Sequence, residues 1–447
     1  MQRLAGFLRT YWTRGKPGRA TPRSLTVFMQ RMWLLALLCK LLGSSWDVSW
    51  HFKWLRDDLA PPHLLNTAGT GIAIGLVLAH SFTGYGAEKA SLRLMQWGTG
   101  IFVIAAPIDV VNHRINGLDL TSWSPSHLML YVGTAIMIAG VIRNWYRSYP
   151  RGGTDTRSWT IGMLALWIFE FENVFFPQLQ QEYGILEIGS WFRGTPYAEQ
   201  SLLTFAAGQL HRPVDDVALQ GFALPIPPWV YPLWAVVICG PLLMFARRMV
   251  GFRFTATTVT FGYVIYRSAT WPLLVVGNFP PSVIPFWLVG LGLAVDAVFL
   301  LRLTWWQRAI VAGIGVTAVA YGALWLQTQA SGSPTTIGSM TIGQLRAAFE
   351  AGRPIRAVPI AWWTGWIAVG ALITSWALAE LLAGKTLDDG PPPPPRAIDY
   401  GSEPRRDSSG HLDGWGSPTV RRQRHRIDFE GSGPPNAQGW GIDSAGG

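Results

Sequence analysis

Two short stretches of the chain combine residue types that bind metal ions in proteins. The first begins W-D-V-S-W-H at Trp46 and ends with P-P-H, and the second begins D-V-V-N-H at Asp109 and ends with S-P-S-H. Each contains an aspartate, a histidine four residues later, and a second histidine directly after a proline-containing segment. The six side chains are Asp47, His51, His63, Asp109, His113 and His127.

The spacing within each stretch predicts a three-ligand site. Residues four apart on a helix share one face, so Asp47 and His51 would project together, as would Asp109 and His113. Proline suits the first turn of a helix, so the second histidine of each stretch would begin the next, antiparallel helix. One carboxylate and two imidazoles suit copper, zinc or non-haem iron, and three protein ligands leave positions open for water, dioxygen or substrate.

The alternative is that these side chains are solvated or paired with arginine near a membrane surface. A single aspartate and histidine at this spacing has almost no specificity. Two copies, each followed by proline and a further histidine, favour a metal site, because unpaired ionisable groups are costly at membrane depth.

The composition is that of a membrane protein. Of the 447 residues, 49% are hydrophobic and only 14% are charged, whereas soluble domains are about a quarter charged. Apolar runs reach the roughly 20 residues that a helix needs to cross a bilayer. We therefore predict an all-α, polytopic integral membrane helix bundle of about ten transmembrane helices in a lipid bilayer, with a disordered C-terminal tail.

The apolar runs divide the chain into two helical halves. They lie near 26–46, 63–82, 94–113, 127–146 and 158–177, and then near 228–246, 255–277, 283–301, 308–327 and 360–383. The predicted regions are a basic N-terminus at 1–25, a metal-site half at 26–177, an extracytoplasmic loop at 178–227, a second half at 228–383 and the proline-rich tail at 384–447.

The positive charges predict the orientation. The formal net charge is +10, and the basic residues cluster in the N-terminus and in short loops beside the apolar runs. Cytoplasmic segments carry such an excess, so both termini would be cytoplasmic in a plasma membrane and both motif turns extracytoplasmic. No nucleic-acid-binding motif accompanies the charge, and we predict no nucleic-acid partner.

Other polar residues are candidates for supporting roles. Arg267 and Asp296 lie within apolar runs, and such charges usually pair, so we expect them to form an interhelical ion pair. His211, in the polar segment at 178–227, is a candidate for a further ligand. Residues that could contact the metal ligands or relay protons are Asp58, Asp119, Glu170 and Glu172.

Residues 46–130 resemble a known signature. The segments W-H-x3-L-R-D-D with P-P-H, and T-S-W-S-P-S-H, resemble the C subunit of copper membrane monooxygenases, the particulate methane and ammonia monooxygenase family. That family has an Asp-His-His copper site and a nearby Asn-His-His position. The first triad matches the Asp-His-His site with one residue fewer before His63. The second triad matches the spacing of the Asn-His-His position, with Asp109 where the family has asparagine.

The resemblance implies copper and the oxidation of a small apolar substrate with dioxygen, within a membrane oxidase complex that includes partner subunits. Two alternatives stay open from the residues alone. The chain could be a membrane metal-handling or transport protein without oxidase activity. It could also be a transporter or structural membrane protein that binds no metal.

Overall fold

The structure is a computed structural model that describes residues 2–55, 60–116, 121–150, 155–333 and 340–387. The predictions for Asp58 and Asp119 lie outside these residues. The tail predicted from 384 is still helical as far as Leu387, and its remainder is also outside them.

The described residues form helices and connecting turns, with no β-strand among them. The first half contains α1 (Gln2–Tyr11), α2 (Arg23–His51), α3 (Pro61–Thr83), α4 (Lys89–Asn116), α5 (Pro125–Ser148) and α6 (Asp155–Phe175). Three shorter helices follow: α7 (Leu179–Phe192), α8 (Gln200–Gln209) and α9 (Asp216–Ala223). The second half contains α10 (Val230–Trp234), α11 (Gly240–Val250), α12 (Thr255–Val276), α13 (Leu288–Leu300), α14 (Trp305–Ala330), α15 (Ile342–Glu350) and α16 (Thr364–Leu387).

Eight helical segments in the described part of the chain are long and apolar enough to cross a bilayer, which indicates a multi-pass membrane protein. They are Arg23–His51, Pro61–Thr83, Lys89–Ile115, Pro125–Ser148, Asp155–Phe192, Val230–Val250, Trp305–Ala330 and Thr364–Gly384. The all-helical membrane class is confirmed, but the count of about ten is not. Helix α12, which carries Arg267, is not among these spans. Helix α13 has 13 residues, or roughly 20 Å, against a bilayer core of about 30 Å.

The segment predicted as a loop at 178–227 is mostly helical. Helix α6 continues through a 3₁₀ turn (Phe176–Gln178) into α7, so one apolar span runs from Asp155 to Phe192. The acidic residues in α7 are buried because protein groups satisfy them. Glu182 accepts a hydrogen bond from the Tyr231 hydroxyl at 2.8 Å, and Glu187 accepts from backbone N–H groups of the following turn.

The expected ion pair between Arg267 and Asp296 is wrong. Arg267 pairs with Glu182 at 3.3 Å, and Asp296 pairs with Arg247 at 3.4 Å. Asp296 also accepts the backbone N–H of Thr257, in the first turn of α12. Arg267 lies ten residues further along α12, roughly 15 Å away at 1.5 Å per residue, so Asp296 is beyond its reach.

Two helix hairpins, α2–α3 and α4–α5, carry the motifs at one end of the bundle. At the opposite end, Arg23 at the start of α2 pairs with Asp155 at the start of α6, and Arg143 near the end of α5 pairs with Glu88 just before α4. The end of α2 and the start of α3, like the end of α4 and the start of α5, therefore lie at the end remote from these ion pairs. This placement agrees with the sequence prediction that successive helices run in opposite directions and bring both motifs to one side.

Candidate metal centre

The first motif forms a compact triad where α2 ends and α3 begins. His51 is the last residue of α2, and two prolines open α3 so that His63 is its third residue. Asp47 Oδ1 lies 3.4 Å from His51 Nε2 and 2.8 Å from His63 Nε2. The predicted helix–turn–helix placement of this motif is confirmed, and its three side chains meet.

The second motif repeats this arrangement between α4 and α5. His113 lies in the last turn of α4, and His127 is the third residue of α5. Asp109 Oδ1 lies 3.6 Å from His113 Nε2 and 3.4 Å from His127 Nε2. These side chains are 10–22% exposed, against 28–30% in the first triad, so the second triad is the more enclosed.

The turn before His127 is held by specific hydrogen bonds. The Ser124 hydroxyl accepts the backbone N–H of His127 at 3.3 Å, which caps α5. The Trp123 indole N–H donates to the carbonyl of Pro177 at 3.1 Å, and Ser122 contacts the same carbonyl through its hydroxyl at 3.0 Å. The S-W-S-P segment therefore fixes the second triad against the junction of α6 and α7.

The hydrogen bond of His127 indicates how its ring is oriented toward Asp109. His127 Nδ1 lies 3.0 Å from the Thr121 carbonyl oxygen. A carbonyl only accepts, so Nδ1 carries the proton and Nε2 presents its lone pair toward Asp109. Metal-bound histidines commonly donate their second N–H to a carbonyl in this way. His51 Nδ1 is buried and has no hydrogen-bond partner among the described residues.

Both triads line one cavity of about 510 Å³. Its walls are largely apolar and come mainly from α2 to α6, with Phe102, Leu130 and Phe169 among them. Glu172 also lines the cavity and accepts a hydrogen bond from Ser45 at 2.9 Å. The two triads therefore share one cavity.

Not all of the predicted supporting residues reach the cavity. Glu172 reaches the cavity that both triads line, whereas Glu170 is buried elsewhere and is not among the described residues of its wall. His211 lies on an exposed turn with a left-handed φ of 52°. It belongs to neither group of metal-ligating atoms found in the described parts of the chain.

Both triads bring three ligand atoms close together, and the second matches the spacing around a metal ion more closely. Within each, one ligand atom per residue lies within 4.8 Å of the others. Ligands about 2.0–2.2 Å from a tetrahedral ion are roughly 3.3–3.6 Å apart. The Asp109 contacts of 3.4 and 3.6 Å are close to that separation. The contact of 2.8 Å between Asp47 and His63 is a direct hydrogen bond, so the first triad is tighter than an ion requires.

One buried polar residue that lines the same cavity, Lys40, was not predicted from the sequence. Lys40 is 4% exposed and donates hydrogen bonds to Asn66 Oδ1 at 3.0 Å and Thr70 Oγ1 at 3.2 Å. All three residues line the cavity. The available signal was a lysine inside the apolar run L-L-C-K-L-L, since ionisable residues within spans are rare and usually functional.

No family model, curated protein or solved structure matches this chain. The resemblance to the monooxygenase C subunit stays a prediction carried by the motifs of residues 46–130.

Proposed function

We propose that each triad binds a transition-metal ion, preferably copper. We further propose that the chain acts as a subunit of a membrane oxidase complex that uses dioxygen to oxidise a small apolar substrate. The observation that carries the proposal is that two Asp-His-His triads line one largely apolar cavity. Two imidazoles and a carboxylate are ligands that copper accepts, with zinc and non-haem iron as the other candidates.

Each ligand set also suits its surroundings electrostatically. A carboxylate removed from water is costly unless a positive charge or hydrogen bonds compensate it. A metal cation would compensate Asp47 and Asp109, and the neutral imidazoles complete its coordination without adding charge. Copper, when bound, supplies the dioxygen chemistry. The protein holds the ligands and provides apolar walls that exclude water from the substrate.

Catalysis is favoured over simple copper carriage by the cavity's residue types. Copper-carrying paths favour soft thioether and thiolate ligands. Among the described residues, no methionine or cysteine lines the cavity. A role without any metal is the third candidate, and the direct hydrogen bond from His63 to Asp47 is compatible with it. Metal analysis separates these functions.

The first test is the metal content of purified protein. We expect two ions per chain in the wild type, one in His51→Ala, one in His113→Ala and none in the double variant. His211→Ala is the matched control, because it removes an exposed histidine that belongs to neither triad. A nitrogen-coupled Cu(II) signal in electron paramagnetic resonance would identify imidazole ligands. Unchanged metal content in both single variants would overturn the proposal.

The second test addresses the oxidase activity. Membranes that contain the chain and its native partners are supplied with a reductant and short-chain hydrocarbons, and oxygen uptake is measured. We expect uptake that depends on both triads and is unaffected by His211→Ala. Copper-loaded protein without oxygen uptake under any of these conditions would favour a metal-handling role.

The proposed location is the plasma membrane, with both termini cytoplasmic and the triads at the extracytoplasmic face. This orientation follows from the arginine-rich N-terminus and from the position of the motif turns at the far end of the bundle. Cysteine-accessibility labelling of the α2–α3 turn in intact cells would test it, and protection from an impermeant reagent would contradict it.

A further inference from the structure

The buried lysine of the cavity has no anionic partner in the described part of the chain. Lys40 Nζ is held by two neutral oxygen atoms, from Asn66 and Thr70, and lies 3.3 Å from the centroid of the Phe102 ring. No carboxylate among the described residues is within ion-pair distance of it. A buried ammonium group is costly without a counter-ion, so the site favours an anion from outside the chain.

Lys40 and the first triad lie on one face of α2. Lys40 and Asp47 are seven residues apart, which is two helical turns, or roughly 10 Å along the axis. Both line the cavity, together with Ser44 between them. On α3, Asn66 lies one turn from His63 on the same wall. The cavity is therefore elongated, with a cationic end at Lys40 and a metal-ligand end at Asp47.

The side of this cavity is open between α3 and α4. Three of its lining residues are also exposed at the surface: Thr67 of α3, and Val103 and Val110 of α4, which are 43% and 38% exposed. Both helices are candidate membrane spans, so in the predicted bilayer this surface would face lipid. A molecule dissolved in the membrane could enter here without crossing water.

We propose that the cavity binds a medium-chain amphiphile whose terminal carboxylate contacts Lys40 and whose apolar chain extends along α2 toward the first triad. The charges fix this direction. Without a bound metal, the carboxylates Asp47, Asp109 and Glu172 disfavour an anion at the other end of the cavity. A ligand without an anionic end would leave Lys40 with only its neutral partners, Asn66, Thr70 and Phe102.

Binding at Lys40 is independent of the metal sites, whereas a role of the bound amphiphile as a substrate rests on the proposed function. The two ideas can therefore fail separately. Octanoate binding without any bound metal would refute the oxidase and leave the amphiphile site intact. Two bound metals without octanoate binding would refute the amphiphile site and leave the metal sites intact.

The test compares octanoate with octanol, which has the same apolar chain and no negative charge. Binding to the full chain in nanodiscs of zwitterionic phospholipid is measured by calorimetry. Lys40→Met removes the charge and keeps much of the volume. Arg31→Met removes a positive charge from the exposed face of the same helix and is the matched control. Lys40→Arg retains the charge and covers the case in which Lys40→Met fails to fold.

We expect octanoate to bind the wild type, Arg31→Met and Lys40→Arg, and to bind Lys40→Met at least about tenfold more weakly, as for loss of a hydrogen bond to a charged group. Octanol should bind all four proteins equally. Metal content should not change between them. Equal octanoate affinity in the wild type and Lys40→Met would overturn the proposal, as would failure of the folded wild type to bind octanoate.

Discussion

The ion pair between Arg267 and Glu182 gives the sharpest test of the packing between the two halves. It joins α12 to α7, with the two side chains 2% and 0% exposed. Each has further partners: Glu182 accepts from the Tyr231 hydroxyl, and Arg267 donates to the Ser282 hydroxyl. Removal of one member leaves the other charge buried and uncompensated.

The expected cost follows from this burial. Loss of one member of a buried pair typically lowers the free energy of unfolding by 3–5 kcal/mol, whereas replacement of both is often close to neutral. Arg267→Met and Glu182→Gln should therefore each destabilise by about 3 kcal/mol or more. The double variant should be less destabilised than the sum of the two by about 2 kcal/mol. The losses of unfolding free energy caused by Asp296→Asn and Arg267→Met should add to within about 0.5 kcal/mol, because these residues share no contact.

The assay is equilibrium unfolding of the purified protein in detergent micelles, followed by fluorescence of its 24 tryptophans. A coupling energy between Arg267 and Glu182 of less than about 0.5 kcal/mol would refute the reasoning. So would a larger coupling between Arg267 and Asp296, which would restore the pairing expected from the sequence.

Two further predictions concern the hairpin of the second triad and the segment outside the spans. A Cβ added at Gly98 would lie 2.2 Å from the backbone nitrogen of Met137, so Gly98→Ala should separate α4 from α5 and cost about 1–3 kcal/mol. Gly100→Ala, with open space around it, should be neutral or stabilising, and equal thermal stability of the two variants would contradict this packing. Hydrogen bonds from the Arg346 guanidinium hold the pKa of Asp216 below its usual range. The stability that this partly exposed pair contributes, under about 1 kcal/mol, should be present above pH of about 4 and be lost as the pH falls through the lowered pKa. The stability difference between wild type and Asp216→Asn, measured against pH, should therefore vanish in acid, and its persistence there would exclude this role.

The helical membrane class and the composition of each triad could be predicted from the sequence. The reason is that both depend on local relations along the chain. Asp47 and His51 share a helix face because they are four residues apart, and the proline-initiated helix after them returns His63 to the same place. Apolar runs of sufficient length also predict spans without reference to their neighbours.

The tertiary structure alone placed both triads on one cavity and brought Lys40 into it. It also paired Arg267 with Glu182, in a segment that was predicted as an extracytoplasmic loop. These relations join residues from separate helices, and their distances depend on how the helices pack and where each begins and ends. A lysine in an apolar run or a glutamate in a polar one looks the same in sequence whatever its partner. Only the packing of α2 against α3, and of α7 against α12, decides which groups share a buried space.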